Sequence, residues 1–174
     1  MPNKKQNELI ECLMEKLNDN EKLFCESVIN NLLELEYLPR KHRKSNFVVE
    51  FEKNGRIIVK IEIKPLKDSG TSLLFWLRFS GCKKYPKKFR EAAERRPEAW
   101  IKRNQYYKNH NIEKCCGLCK GSPRFYYINN DDHTKTIRCG GYTIQIPGIT
   151  SDDISDTLKL IKEQDIYFSN VLFS

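Results

Sequence analysis

The chain has 174 residues, of which 39% are hydrophobic and 31% are charged, and its formal net charge is +8. This length supports one ordinary domain with a buried core, and the apolar content excludes an intrinsically disordered chain. No stretch approaches the roughly 18 consecutive apolar residues of a membrane span, and no apolar export signal follows Met1. We therefore expect a cytoplasmic protein that makes no membrane contact and keeps its seven cysteines as reduced thiols.

Two amphipathic helices open the chain. The first covers residues 6–17 and repeats leucine at helical spacing. Asn18 followed by Glu21 has the spacing of a capping box, which predicts that a second helix starts there. That helix is expected to run to about residue 36 and to be ended by Pro39.

Residues 47–64 alternate apolar and polar side chains around an Asn-Gly pair, which predicts a β-hairpin. A two-residue turn would pair Phe51 with Ile58 and would mix the two faces of the hairpin. A three-residue loop that ends with Gly55 in the left-handed region pairs Phe51 with Ile57 instead, and we predict this loop with its bulge. The face then predicted to be buried consists of Phe47, Val49, Phe51, Ile57, Val59 and Ile61.

The second half of the chain continues with a strand, a basic helix, three short strands and a last helix. The strand is predicted at 72–79, and the helix is predicted at 83–104 with a kink or break at Pro97. The three short strands are predicted at 124–128, 136–139 and 142–146. A capping box from Thr150 to Asp153 predicts the start of the last helix. This order predicts a single α+β domain over residues 1–174, a two-layer sandwich with a mostly antiparallel sheet and the helices on one face.

The cysteines of residues 109–142 form the pattern most typical of a chemical site. Cys116 and Cys119 make a C-x-x-C turn, and Cys139 follows in an Arg-Cys-Gly-Gly sequence. This spacing is typical of a zinc-ribbon-like hairpin, so we predict a structural zinc ion there. A tetrahedral site needs a fourth ligand, and the candidates are Cys115, which we favour, Cys82, His110 and His133. Two alternatives stay open, namely a redox pair flanked by lysines and a set of ordinary thiols.

The excess positive charge lies in two segments. Residues 83–108 hold ten Lys and Arg against three Glu, and residues 39–44 add four more cations. Such segments predict binding to a polyanion, nucleic acid included, or to an acidic protein partner, and a solvated helix face is the alternative. The candidate residues are Lys83, Lys84, Lys87, Lys88, Arg95 and Arg96 in the first segment and Arg40, Lys41 and Arg43 in the second. Tyr85, Phe89 and Trp100 fall on the inward stripe of the basic helix and are expected in the core.

The strand-proline-helix ending of the chain, from Tyr142 to Pro147 and on to Gln164, resembles small bacterial proteins of the YdhG-like type. The paired N-terminal helices before a hairpin fit the same resemblance. The cysteine element beside Phe125-Tyr126-Tyr127 is an addition to that pattern and is similar to bacterial proteins without an assigned role. The resemblance implies an α+β core and supplies no catalytic residues.

The sequence contains no phosphate-cradling glycine loop, nucleophile elbow or H-E-x-x-H motif. We therefore predict a non-enzymatic binding or accessory protein of unknown ligand, with a cysteine-bound structural metal. The alternatives are a nucleic-acid or acidic-partner binder that uses residues 83–108, and a thiol redox protein that uses Cys116 and Cys119.

Overall fold

A computed structural model describes residues 1–42, 47–65, 71–95, 125–130, 133–139 and 141–172. Its α-helices are α1 (Lys4–Met14), α2 (Asp19–Glu34), α3 (Lys87–Glu94) and α4 (Ile154–Leu172), the last preceded by a 3-10 turn at Ser151–Asp153. Its strands are β1 (Leu38–Lys41), β2 (Val48–Lys53), β3 (Arg56–Pro65), β4 (Thr71–Leu77), β5 (Phe125–Asn130), β6 (His133–Cys139) and β7 (Ile144–Ile146). These elements confirm the α+β class. The two-layer sandwich and the zinc-ribbon-like hairpin stay predictions.

Side chains and backbone groups close to each helix end define where the helices start and stop. Asn18 and Glu21 form the predicted capping box of α2, each side chain accepting the other residue's backbone N–H. The helix ends at Glu34, two residues before the predicted end near residue 36. Glu36 there adopts a positive φ of 65°, and the Tyr37 N–H donates to the Leu32 carbonyl at 2.8 Å. This Schellman-type ending satisfies the last carbonyls of the helix, so no proline is needed to stop it.

Strands β1, β2, β3, β4 and β7 form one antiparallel sheet in that order, and β5 and β6 form a separate two-stranded sheet. The core is built from alternate residues of the larger sheet together with the apolar stripes of the helices. The ring of Phe24 in α2, for example, meets that of Phe75 in β4 edge-on at 5.0 Å. Tyr126 of β5 is fully buried in the same core, and its ring lies 4.8 Å from that of Phe79.

The turn of the β2–β3 hairpin differs from the prediction. Lys53 pairs with Arg56, so the loop has two residues, with φ of 52° at Asn54 and 76° at Gly55. The left-handed Gly55 is confirmed, but the three-residue loop is wrong. A β-bulge corrects the faces one residue later, because Phe51 pairs with Val59 and leaves Ile58 as the extra residue. Ile58 is fully buried in consequence, and Ile57, which was predicted to be buried, is only half-buried.

A short strand, β1, occupies part of the second basic segment, residues 39–44. It lies at the end of the sheet order, and its partner is β2. The His42 N–H donates to the Val48 carbonyl, so alternate residues back to Leu38 direct their backbone groups toward β2. Pro39 and Lys41 therefore direct theirs away from the sheet. Proline has no N–H to offer there, which blunts this edge against pairing with another strand.

The basic helix α3 starts four residues later than predicted and ends at Glu94, three residues before Pro97, where a kink or break was predicted. It begins at Lys87 after Pro86, whose missing N–H suits a helix start, and the extended backbone of Arg95 follows its last residue. Residues 96–104 lie outside the described part of the chain. The predicted cap before the last helix is confirmed, since the Thr150 N–H donates to Asp153 at 2.9 Å. None of the helices in the described ranges is long and apolar enough to span a membrane.

Candidate polyanion-binding surface

Residues 78–88, called the strap below, leave β4 and run along α4 toward α3. The Arg78 guanidinium lies 4.8 Å from the centre of the Phe168 ring, and the Gly81 N–H donates to Gln164 Oε1 at 2.7 Å. Nearer the start of the helix, the Cys82 thiol donates to the Leu160 carbonyl at 3.3 Å. Successive residues of the strap therefore contact residues progressively nearer the start of α4, so the two segments are antiparallel.

Gly81 is the position where the strap comes closest to α4. A Cβ atom built at this residue would lie 2.6 Å from the Tyr167 ring and 2.7 Å from the Tyr167 Cβ. A real Cβ cannot approach that closely, and the Tyr167 Cβ is fixed by the helix backbone, so only glycine fits here. The same approach brings the Gly81 N–H to Gln164, which is fully buried.

The core holds α3 by its apolar face. Phe89 is buried, as the sequence predicted, together with Ala92 and Ala93, and its ring meets that of Phe79 edge-on at 5.8 Å. Tyr85, which was predicted in the core, is only partly buried and packs its ring against Phe79 at 5.0 Å. Two aromatic residues of the basic segment therefore serve packing.

Glu91 and Glu94 are exposed on the opposite side of α3, and the basic surface consists of five cations within residues 83–95, namely Lys83, Lys84, Lys87, Arg90 and Arg95. All five residues are exposed. None of their side chains forms an ion pair with another residue in the described ranges. Arg90 was not singled out from the sequence, although it lies one helical turn after Lys87 and that spacing could have identified it.

Lys88 differs from the other cations of the segment. Its Nζ lies 2.6 Å from Asp153 Oδ2 and donates to the Gly148 carbonyl at 2.8 Å. Asp153 is also the residue that caps the start of α4. Lys88 therefore joins α3 to the beginning of α4, and its charge is balanced within the fold.

Arg40 is likewise balanced by acidic neighbours. Its Nε lies 3.2 Å from Glu50, and a second guanidinium nitrogen pairs with Glu52. Glu50 is only 3% exposed and also contacts Lys60 Nζ at 2.6 Å and His42 Nδ1 at 3.1 Å. Burial alone would raise the pKa of the Glu50 carboxyl, but the hydrogen bond and charge of Lys60, with the other cations, hold it below its ordinary value.

The other two predicted cations of the second basic segment, Lys41 and Arg43, differ in what the structure describes. Lys41 is exposed on the outer strand β1. Arg43 lies outside the described ranges, and so does Arg96 of the first segment. The nine cations predicted to meet a polyanion are therefore distributed between two balanced residues, five exposed ones and two that the structure does not describe.

No protein-family model, curated protein or solved structure matches this chain. The resemblance to YdhG-like proteins stays a prediction.

The predicted metal ligands lie mostly beyond the described residues. Cys115, Cys116, Cys119 and His110 fall outside them. Cys139 is the last residue of β6, and its backbone pairs with Phe125 at the start of β5. Within the described ranges no group of three or more His, Cys, Asp or Glu is placed to hold a metal ion.

Two of the alternative fourth ligands can be judged from their positions. His133 is the first residue of β6, which places its backbone about 20 Å from that of Cys139, too far to share one metal ion. Cys82 is buried, and its thiol donates to Leu160. Burial, with a smaller effect of nearby Glu163, raises the pKa of that thiol and opposes the thiolate that a metal requires. Cys115 and His110 stay the open alternatives.

Proposed function

We propose that this protein is a non-enzymatic binding protein whose basic surface contacts the phosphate groups of a polyanion such as nucleic acid. The observation that carries the proposal is the difference among the cations. Arg40 and Lys88 are balanced by carboxylates, whereas Lys83, Lys84 and Lys87 are exposed without an ion-pair partner in the described ranges. Exposed, clustered cations on a rigid support are what phosphate contacts require.

The helix beneath the surface is fixed by its contacts with the rest of the fold. Lys88 ties the first turn of α3 to Asp153, and Phe89, Ala92 and Ala93 bury its apolar face in the core. The side chains of Lys84 and Lys87 then extend from a backbone that the fold already holds in place, so less order has to be created on binding.

Charge rather than base stacking supports the contact. Tyr85 and Phe89 face the aromatic core, so neither ring is presented beside the exposed lysines. Sequence in nucleic acids is read through base edges, and single strands are held by aromatic stacking. The described part of this surface therefore favours a ligand recognised by its backbone, with little dependence on base sequence.

Charge reversal on the basic surface tests the proposal. A Lys84→Glu, Lys87→Glu variant should bind fluorescent oligonucleotides far more weakly than the wild type at low salt, for every base sequence tested. The slope of log K against log salt should become shallower by about 0.7 for each phosphate of a single strand that the variant no longer neutralises. Fluorescence anisotropy across a salt series measures both quantities.

Lys4 and Lys5 of α1 provide the matched control, since both are exposed and their reversal changes the net charge equally. The control variant should bind like the wild type. A wild type that fails to bind at low salt would refute the proposal, and so would equal weakening by the two pairs of substitutions. If the protein binds a fluorescent acidic polypeptide but no oligonucleotide, the result would instead favour the acidic protein partner.

We further propose a structural zinc ion held by Cys116, Cys119, Cys139 and a fourth ligand, with Cys115 favoured. The pairing of Cys139 with Phe125 supports this, because only six positions separate Phe125 from Cys119 along the chain. Cys139 is therefore within reach of the C-x-x-C turn. Metal analysis of the purified protein tests the site and separates it from the redox pair and the ordinary thiols.

A further inference from the structure

Two arginines lie at the far end of the strap from the basic surface. Arg78, at the start of the strap, and Arg56, at the start of β3, place their guanidinium carbons 4.8 Å and 5.2 Å from the centre of the same Phe168 ring. Arg56 also donates to the Phe168 carbonyl at 2.9 Å. Phe168 is itself buried, so both guanidinium groups lie beside a fixed platform on α4.

The formal charge of Arg56 has no carboxylate partner in the described part of the chain. The acidic residue nearest along the helix is Asp165, and its carboxylate already accepts from the Tyr37 hydroxyl at 3.0 Å and from Lys53 at 3.2 Å. The carbonyl that Arg56 contacts is neutral. The C-terminal end of α4, near Phe168, therefore carries positive charge, as the strap and α3 do.

We propose that the basic surface and these two arginines form one cationic track along α4. A nucleic-acid strand would bind with its phosphodiester backbone lying lengthwise along this track. The inference rests on the proposed function and adds the direction and length of the bound segment. The strap joins the two ends, because it follows the helix from Arg78 beside Phe168 to Lys88 beside Asp153. Those two contacts on the helix are 15 residues apart, about 22 Å at 1.5 Å per residue.

The length of the track sets the size of the ligand. A strand with a helical rise of about 3.4 Å per nucleotide would place roughly six phosphates along it. An acidic side chain lies within the track, since the carboxylate of Glu163 accepts the backbone N–H of Lys83 at 3.4 Å. A phosphate that passes this point is repelled, so removal of the Glu163 charge should strengthen binding.

Oligonucleotide length and three substitutions test the track. Wild-type affinity for single strands of about 3 to about 12 nucleotides should rise until roughly six phosphates are present and then change little. Arg56→Gln should make the salt slope shallower by about 0.7 for the longer strands, and Arg56→Lys, which keeps the charge, should retain it. Glu163→Gln, whose amide oxygen can still accept from Lys83, should bind more tightly than the wild type.

The outcomes separate the two proposals. If the wild type binds and Lys84→Glu weakens it, but affinity stops rising at about three nucleotides and Arg56→Gln binds normally, the track is wrong and the basic surface stands. If Arg56→Gln and Arg56→Lys lose equal affinity and equal thermal stability, Arg56 acts only through the fold and the track is again wrong. If the wild type binds no oligonucleotide of any length, the proposed function fails first.

Discussion

Glu50 lies almost fully buried between β1 and β3, and three basic side chains surround its carboxylate. Arg40 and Lys60 are its direct cross-strand neighbours, and His42 reaches it from the end of β1. A carboxylate removed from water in this way is stable only because charged donors replace the water. Glu50 therefore holds these three basic side chains on the sheet, whereas the exposed lysines of the basic surface have no such carboxylate partner in the described ranges.

Replacement of Glu50 should lower stability and change its pH dependence. The folded-state pKa lies below the ordinary value of 4.5, so the carboxylate stabilises the fold above that pH. This stabilisation is lost as the pH falls through the lowered pKa. Glu50→Gln should cost about 1–3 kcal/mol at neutral pH, because the surrounding cations lose a charged acceptor but are partly exposed and regain water. Below pH 4.5 the difference from the wild type should shrink.

Urea unfolding at several pH values measures this effect. Glu62→Gln is the control, since Glu62 lies on the neighbouring strand β3 and forms no ion pair in the described ranges. Its loss should change stability by less than about 0.5 kcal/mol. A Glu50→Gln variant with an unchanged free energy of unfolding from neutral to acid pH would contradict the role assigned to the carboxylate.

Gly81 makes a second prediction at the level of one residue. Gly81→Ala would bring a Cβ to within 2.6 Å of the Tyr167 ring, and the strap would have to move away from α4. We expect a loss of about 1–3 kcal/mol in the free energy of unfolding, typical of overpacking. Ser155→Ala, on the exposed side of α4, should have little effect in the same urea titration. Equal stability of the Gly81 variant and the wild type would show that the strap yields easily.

At the level of elements, the β2–β3 hairpin shows two local preferences that act together. The Asn-Gly pair forms the two-residue turn whose twist matches the strands, and the bulge at Ile58 then returns the apolar residues to the core. From the sequence alone the two-residue turn and the bulge are alternatives, since a turn without a bulge buries the wrong face. The turn also positions Lys53 and Arg56, which contact α4 through Asp165 and the Phe168 carbonyl.

Gly55→Val should weaken this element. Gly55 has a φ of 76°, and a β-branched side chain resists that region of backbone conformation even though the space around it is open. We expect a loss of at least about 1 kcal/mol, measured by chemical denaturation. Ile57→Val, one position beyond the turn, removes a methyl group but keeps the backbone free of strain. A Gly55 variant that loses no more stability than this control would contradict the two-residue turn.

At the scale of the molecule, the hairpin of β5 and β6 joins the rest of the protein through Tyr126. Burial raises the pKa of its hydroxyl, which therefore stays protonated and donates to the Tyr142 carbonyl at 2.7 Å. The same oxygen accepts the Phe79 N–H at 3.3 Å, at the beginning of the strap. Tyr126 thus joins the β5–β6 hairpin to the core, and we expect residues 109–142 to loosen without loss of the main sheet.

Loss of the proposed metal should act on that region first. The purified protein should contain about one zinc ion per chain, and a chelator should lower its melting temperature, because a metal bound only to the folded state stabilises it. Cys139→Ser should lose the metal and increase amide hydrogen exchange in residues 109–142, while α1, α2 and the first hairpin stay protected. Cys12→Ser should keep the metal. A metal-free wild type that ignores chelators would leave these cysteines as ordinary thiols.

The sequence by itself determined the features that depend on near neighbours. The capping boxes at Asn18 and Thr150 and the burial of Phe89 follow from spacings of three or four residues, and these were predicted correctly. The α+β class followed from the order of these elements. The metal ligands rest on sequence alone, because Cys116 and Cys119 lie beyond the described residues.

Only the tertiary structure decided which cations are available to a ligand. Arg40 and Lys84 look alike in the sequence, since each stands in a run of basic residues. Arg40 is balanced by Glu50, 10 positions away across a strand pair, and Lys88 by Asp153, 65 positions away at the start of α4. Lys84 has no such partner in the described ranges. An ion pair forms between groups within about 4 Å in space, and separation along the chain does not show which groups the fold brings that close.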